Sequence, residues 1–333
     1  KPSRAVPAIP QAQRLTVTVP RYAASGQVTV SGPDDSWDTP DKTTTKVLAA
    51  GDLQVLDWRA SNGFAFPNFR LKSVGFGDMT RAFGREQTHF KVDFCFPLGC
   101  DVWIPDPIVG LGTAALSIGM SVNSGSAVCF GMSSTVLRLR QGTLPFAGFP
   151  PTSATNAFGL TPFDQSVPLA QELIAAQLRQ YGLEYLKEYM ATFLGASGLD
   201  AGGVAALVRQ KLAQVPGGVM ISMPQGLFDG HVVVAYDVAD LPNGGYAIQV
   251  YDPNRPWKPE EDIDTSGATH VKRLDESRIL LSGKAYTFKL DDSNTYTGGT
   301  SNLYVLDAAH VRSRPTIPFG VAGLVNGLLS WQP

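Results

Sequence analysis

The chain has 333 residues, 44% of them hydrophobic and 17% charged, with a net charge of −2. That length and composition describe a globular protein with ample core. The near-neutral balance, without runs of Lys or Arg, excludes the electrostatic footprint of nucleic-acid binding, and no apolar stretch reaches the roughly 20 residues that span a bilayer.

The sequence begins at Lys1 without a methionine or a signal-like segment, which fits a mature exported form or a trimmed piece. Low charge, 34 glycines and 24 prolines lean the same way, towards a secreted or cell-surface protein. Residues 1–60 are expected to form a β-rich N-terminal extension. Arg14–Val19 and Gln27–Val30 alternate in hydrophobicity, and residues 43–58 supply a further strand pair around Gly51-Asp52. The acidic stretch Asp34–Asp41 lacks an ordered spacing of calcium ligands and is taken as a solvated loop.

Residues 61–333 are expected to form one domain, opening with an aromatic-rich loop segment over 61–118. Its many phenylalanines, Phe64, Phe66, Phe69 and Phe76 among them, suit core and lid packing and can also wall a groove. Cys95 and Cys100 flank Phe96-Pro97-Leu98-Gly99, a turn that brings the two sulfurs together. A disulfide of that kind contributes about 2 kcal/mol. It leaves Cys129 as the odd thiol of the chain's three cysteines, and an odd thiol in an exported protein is a candidate reactive group.

Cys129 follows a glycine- and serine-rich loop, Asn123–Val128, and opens a helix predicted over Cys129 to Arg140 with Gly142 as its stop. A thiol at a helix N-terminus meets the positive end of the helix dipole and unpaired N–H groups, both of which favour the thiolate. After a Pro/Gly-rich connector, two scaffold helices are predicted. One runs from Ser166, its N-cap, to Phe193 and is divided at Gly182. The other runs from Ala201 to Val215 behind Asp200.

The last third turns to strands: Val219–Met223, His231–Val238, Tyr246–Asp252, Ile279–Leu281, Ala285–Leu290 and Asn302–Leu306. Asn243-Gly244-Gly245 makes a hairpin of the second and third. A loop centred near Pro242 places His231 opposite Pro253, with Asp252 and Asn254 as its cross-strand neighbours. A histidine facing a carboxylate or carboxamide is the base-and-orienter pair of nucleophilic catalysis. A slip of one residue exchanges the two partners, so both Asp252 and Asn254 stay open as the orienting residue. The other three histidines, His89, His270 and His310, have no comparable neighbours in sequence. Clustered Cys/His ligands are also lacking, so neither a metal nor an organic cofactor is expected.

Cys, His and Asp or Asn in this order resemble the papain-like cysteine peptidases. Gly230-His231-Val232-Val233-Val234 followed by Val250-Tyr251-Asp252-Pro253-Asn254 is most similar to the bacterial branch that includes double-glycine leader peptidases. The resemblance spans about residues 120–256 and implies an α+β fold, with a cysteine-bearing helix packed on an antiparallel sheet that carries the histidine and the acid. It favours Asp252 over Asn254, and it puts Asn123, six residues before the cysteine, in the place of the usual oxyanion-binding glutamine. The implied activity is hydrolysis of a peptide or protein substrate through a thioester acyl-enzyme. Acyl transfer to an amine, as in transglutaminases, and a non-catalytic binding protein on the same fold are the alternatives.

Overall fold

The structure is a computed structural model that describes residues 26–33, 45–53, 58–71, 73–93, 101–122, 126–195, 198–215, 217–225, 230–258, 277–290, 294–306 and 314–322. Several expectations lie outside these residues: the strand at 14–19, the acidic loop at 34–41, Cys95 and Cys100, Asn123, His270 and His310. Two compact units divide the chain, residues 1–55 with 263–269 and the remainder.

The described part of the first unit is an antiparallel pair, β1 (Gly26–Pro33) and β2 (Thr45–Leu53), with an irregularity between Val30 and Ser31. The strand runs straight through Gly51-Asp52, which pair with Val28 and Gln27. The expected turn at that dipeptide is therefore corrected: the ladder of the neighbouring strand holds it extended.

The second unit is a mixed helix and antiparallel-sheet (α+β) fold. Its opening is more helical than its aromatic sequence suggests. α1 (Trp58–Asn62), β3 (Arg70–Leu71), α2 (Phe76–Phe83), α3 (Arg85–Thr88), the hairpin β4 (His89–Asp93) with β5 (Asp101–Pro105), and α4 (Pro107–Val122) occupy the segment expected as loop. The reason is packing. Phe64, Phe66, Met79, Ala82, Phe83 and Val109 are buried in the same cluster as the helices that follow, and that burial outweighs the weak local helix signal. A short β6 (Ser126–Ala127) pairs with β3 and leads into α5 (Cys129–Arg140), which has the predicted bounds.

Ser166 caps α6 (Val167–Leu178) by accepting the Leu169 N–H, a 3-10 turn over Arg179–Tyr181 follows, and α7 (Leu183–Gly195) begins behind Gly182. Asp200 caps α8 (Ala201–Gln214) through the Gly203 N–H. The strands β7 (Val219–Pro224), β8 (Gly230–Asp240), β9 (Tyr246–Tyr251), β10 (Arg278–Ser282), β11 (Ala285–Lys289), β12 (Thr295–Gly299) and β13 (Tyr304–Val305) form one antiparallel sheet, ordered β12-β11-β10-β9-β8-β7-β13. β12 has no counterpart among the predicted strands, and the strand expected over 302–306 shortens because residues 300–302 form a 3-10 turn.

The two faces of the sheet bury different clusters. Val232, Val234, Met220 and Tyr251 pack with α5 and α6, whereas Val233, Ala235, Val250, Ile248 and Ile221 pack with α8. This is the period-two alternation of a sheet covered on both sides. α5 lies so close to α6 that a Cβ on Gly131 would stand 2.3 Å from the Leu173 carbonyl oxygen. A glycine is the one residue that permits that approach. Among the described residues, no helix is long and apolar enough to cross a membrane.

Candidate functional site

β8 begins and β9 ends at the same end of the sheet, so His231 and Asp252 are brought together by antiparallel topology alone. The ladder pairs Val234 with Tyr251 and Ala235 with Val250, then shifts between Ala235 and Asp237, leaving Tyr236 as the extra residue of a bulge. The loop is also centred on Asn243 rather than Pro242: Leu241 N–H donates to Gly245 O and Gly244 N–H to Leu241 O. The expected direct opposition of His231 and residue 253 is corrected accordingly. One step beyond the last ladder pair, Asp252 falls opposite Val233, so it is a diagonal neighbour of His231 on the same face, still within reach of an imidazole.

The contact is short. His231 Nε2 lies 2.6 Å from Asp252 Oδ1, with both side chains buried. Asn254, the alternative partner, meets Asp252 instead: its backbone N–H donates to the same Oδ1 at 2.8 Å. Asp252 Oδ2 is buried without a hydrogen-bond partner among the described residues. A face of the His231 ring stacks on Phe288 of β11, with centroids 5.8 Å apart.

With Nε2 taken by the carboxylate, Nδ1 is the ring nitrogen left for a second partner, and Cys129 is near enough to act on the imidazole's proton affinity. Burial alone lowers the histidine's proton affinity. The Asp252 charge and hydrogen bond, helped by Cys129, overcome it and push His231 up to about 10. The carboxylate thus favours the protonated ring. Relative exposure is 5% for Cys129, 3% for His231 and 0% for Asp252, so water has little access to this chain of groups.

Cys129 is the first residue of α5, as its position behind a loop predicts. Met132 N–H to Val128 O starts the helical ladder, and Gly131 N–H donates to Gln177 Oε1 of α6 at 2.8 Å. Cys129 and Phe130 open the helix, so their amides are among the orphan donors of its first turn. Ser133 Oγ donates to Val232 O at 3.1 Å and fixes α5 onto the strand that carries His231. Asn123 lies outside the described residues, as do both partners of the expected disulfide.

Two contributors have no signature in the sequence. Gln177 reaches α5 from 46 positions away. Asn68, in the aromatic segment, accepts the Val128 N–H on its Oδ1 at 2.9 Å and donates from Nδ2 to Asn254 Oδ1 at 3.0 Å. A Pro-Asn dipeptide among aromatics was the only local mark of the second. His89 bonds Thr88 and meets the Phe76 ring edge-on, away from the site, and its proton affinity is lowered by burial and by the Arg85 charge. Among the described residues, no group of three or more His, Cys, Asp or Glu is placed to hold a metal ion.

What this arrangement can do is move a proton between sulfur and imidazole while the ring's orientation is fixed from behind. Comparisons of the chain with protein-family models, with curated proteins and with solved structures returned no match to any of them.

Proposed function

We propose that the protein is a papain-like cysteine hydrolase, a peptidase or amidase, exported by a bacterium and acting through a thioester acyl-enzyme. The observation that carries the reading is the buried His231 Nε2–Asp252 Oδ1 bond at 2.6 Å, with Cys129 at the start of α5 close enough to act on the same imidazole. Cys129 Sγ attacks the substrate carbonyl carbon and forms the C–S bond. The imidazolium of His231 then gives its proton to the leaving amine as the C–N bond breaks. In the second half, His231 takes a proton from water, whose oxygen displaces the sulfur and restores the thiolate. The Cys129 amide and Asn123 are the assigned donors to the oxyanion, and loss of one such donor costs on the order of 10²–10³-fold in rate. Asp252 holds the ring in its working orientation.

The test is labelling by a peptidyl electrophile directed at thiols, with the modified peptide identified by mass spectrometry. Label is expected on Cys129 in the parent protein, and none in a folded Cys129→Ala variant. Equal labelling of the variant overturns the reading. The near-complete burial of the three side chains favours acyl transfer to an amine as a second reading, because that outcome requires exclusion of water. Product analysis with and without an added primary amine separates it from hydrolysis.

A further inference from the structure

We propose that Asn68 is a positioning residue of this site, a single carboxamide that ties the start of the cysteine helix to the turn carrying Asp252. The proposal rests on the hydrolase reading above. The residue faces both halves of the site at once. Its Oδ1 accepts the N–H of Val128, the residue just before the nucleophile. Its Nδ2 donates to Asn254 Oδ1, and its backbone N–H donates to Pro253 O at 2.7 Å. Those two acceptors are the residues that follow Asp252, and Asn254 itself holds the Asp252 carboxylate through its N–H. The network leaves one amide orientation: Val128 N–H can only donate, so the oxygen of Asn68 must face it and the nitrogen must face Asn254.

The surrounding backbone repeats the pattern. Phe69 O also accepts the Val128 N–H at 3.1 Å, and Arg70 pairs with Ala127 in the short β3–β6 ladder. Ser133 fixes α5 to β8 one turn further along the helix. Asn68 is the only side chain among these contacts that joins the loop before Cys129 to the turn after Asp252. Sulfur and imidazole exchange a proton only over hydrogen-bond range, so a slide of the helix start relative to the turn separates nucleophile from base.

The test compares alkylation of Cys129 in the full chain by iodoacetate and by iodoacetamide between pH 6 and 10, with the site mapped by mass spectrometry. An imidazolium beside the sulfur attracts the anionic reagent, so the ratio of the two rates reports the pair itself, which a merely structural role would leave alone. In Asn68→Ala, alkylation at pH 7 is expected to slow about tenfold, since misplacement of about 1 Å can cost up to 10²-fold. The ratio is expected to fall towards that of an isolated thiol. A folded Asn68→Ala variant with the parent's rate and ratio overturns the proposal. If that variant does not fold, Asn254→Ala decides, because it removes one exposed hydrogen bond and keeps the N–H to Asp252. A lowered ratio supports the role and an unchanged one overturns it. A parent protein whose ratio already equals that of an isolated thiol overturns the hydrolase reading, and the role of Asn68 with it. Failure of Asn68 alone shows as a high ratio that neither variant changes.

Discussion

Two aspartates are fully buried among the described residues, and they are satisfied in opposite ways. Asp106, ahead of α4, spends both oxygens on neutral donors. Oδ1 accepts the Ile108 N–H at 2.8 Å, and Oδ2 accepts those of Val321 and Ala322 at 2.7 and 2.8 Å. Burial works against its charge, but the backbone N–H groups more than offset this and hold its carboxyl below the usual range. Asp252 loads one oxygen with His231 and the Asn254 N–H and leaves the other without a partner among the described residues. The first is a staple between a helix start and the C-terminal segment. The second is tied to a group that can lose its proton. A buried oxygen without a partner is costly.

That contrast can be broken most directly by reactivity. Asp252→Ala is expected to slow modification of Cys129 by about 10²-fold or more, the usual scale for a positioned proton-transfer group, with the iodoacetamide rate as the measure. Asp106→Ala is expected to leave that rate unchanged, and a comparable loss there would erase the distinction. Equilibrium unfolding in urea should show the reverse emphasis. Asp106→Ala removes three hydrogen bonds to a charged group and is expected to cost about 3 kcal/mol.

The pH dependence sharpens the contrast further, because the two groups act in separate windows. His231 is raised, so its contribution is full below its ordinary value of 6.5 and is lost as pH rises towards about 10. Asp106 is lowered, so its contribution is full above its ordinary value of 3.8 and is lost as pH falls through its folded value. Melting temperatures of the parent, His231→Gln and Asp106→Asn across pH 2–11 measure both. The His231 variant should converge with the parent in alkali, and the Asp106 variant in acid. The smallest effect is expected at an exposed carboxylate. Asp240 pairs with Arg209 at 3.0 Å with 75% of its side chain open to solvent, and Asp240→Ala should change stability by less than about 0.5 kcal/mol. Denaturant melts of that variant set the floor for the other two.

Legibility in the sequence followed the range of the interaction. α5 and the β8–β9 hairpin are set by neighbours in the chain, a glycine stop in one and an Asn-Gly-Gly turn in the other, and their limits could be read directly. So could the approach of His231 to Asp252, to within the one residue that the bulge at Tyr236 and the true loop centre alter. α4 was missed because Pro107–Val122 is apolar on most sides and contains three glycines, so it shows no helical stripe. Asn68 and Gln177 were missed for another reason. Their partners lie 60 and 46 positions away, and a polar side chain in a loop or at a helix end carries no mark of a distant N–H.

The bulge also decides where the gene tolerates a change in length. Tyr236 sits outside the ladder, its ring stacked on Trp58 at 5.1 Å, so removing its codon closes the pairing behind it and leaves every residue upstream on its present side. Removing a codon between His231 and Ala235 turns the imidazole through the sheet and leaves Gly230, which has no side chain, in its place before Asp252. Indels in descendants of this protein should therefore accumulate at the first position and be absent from the second.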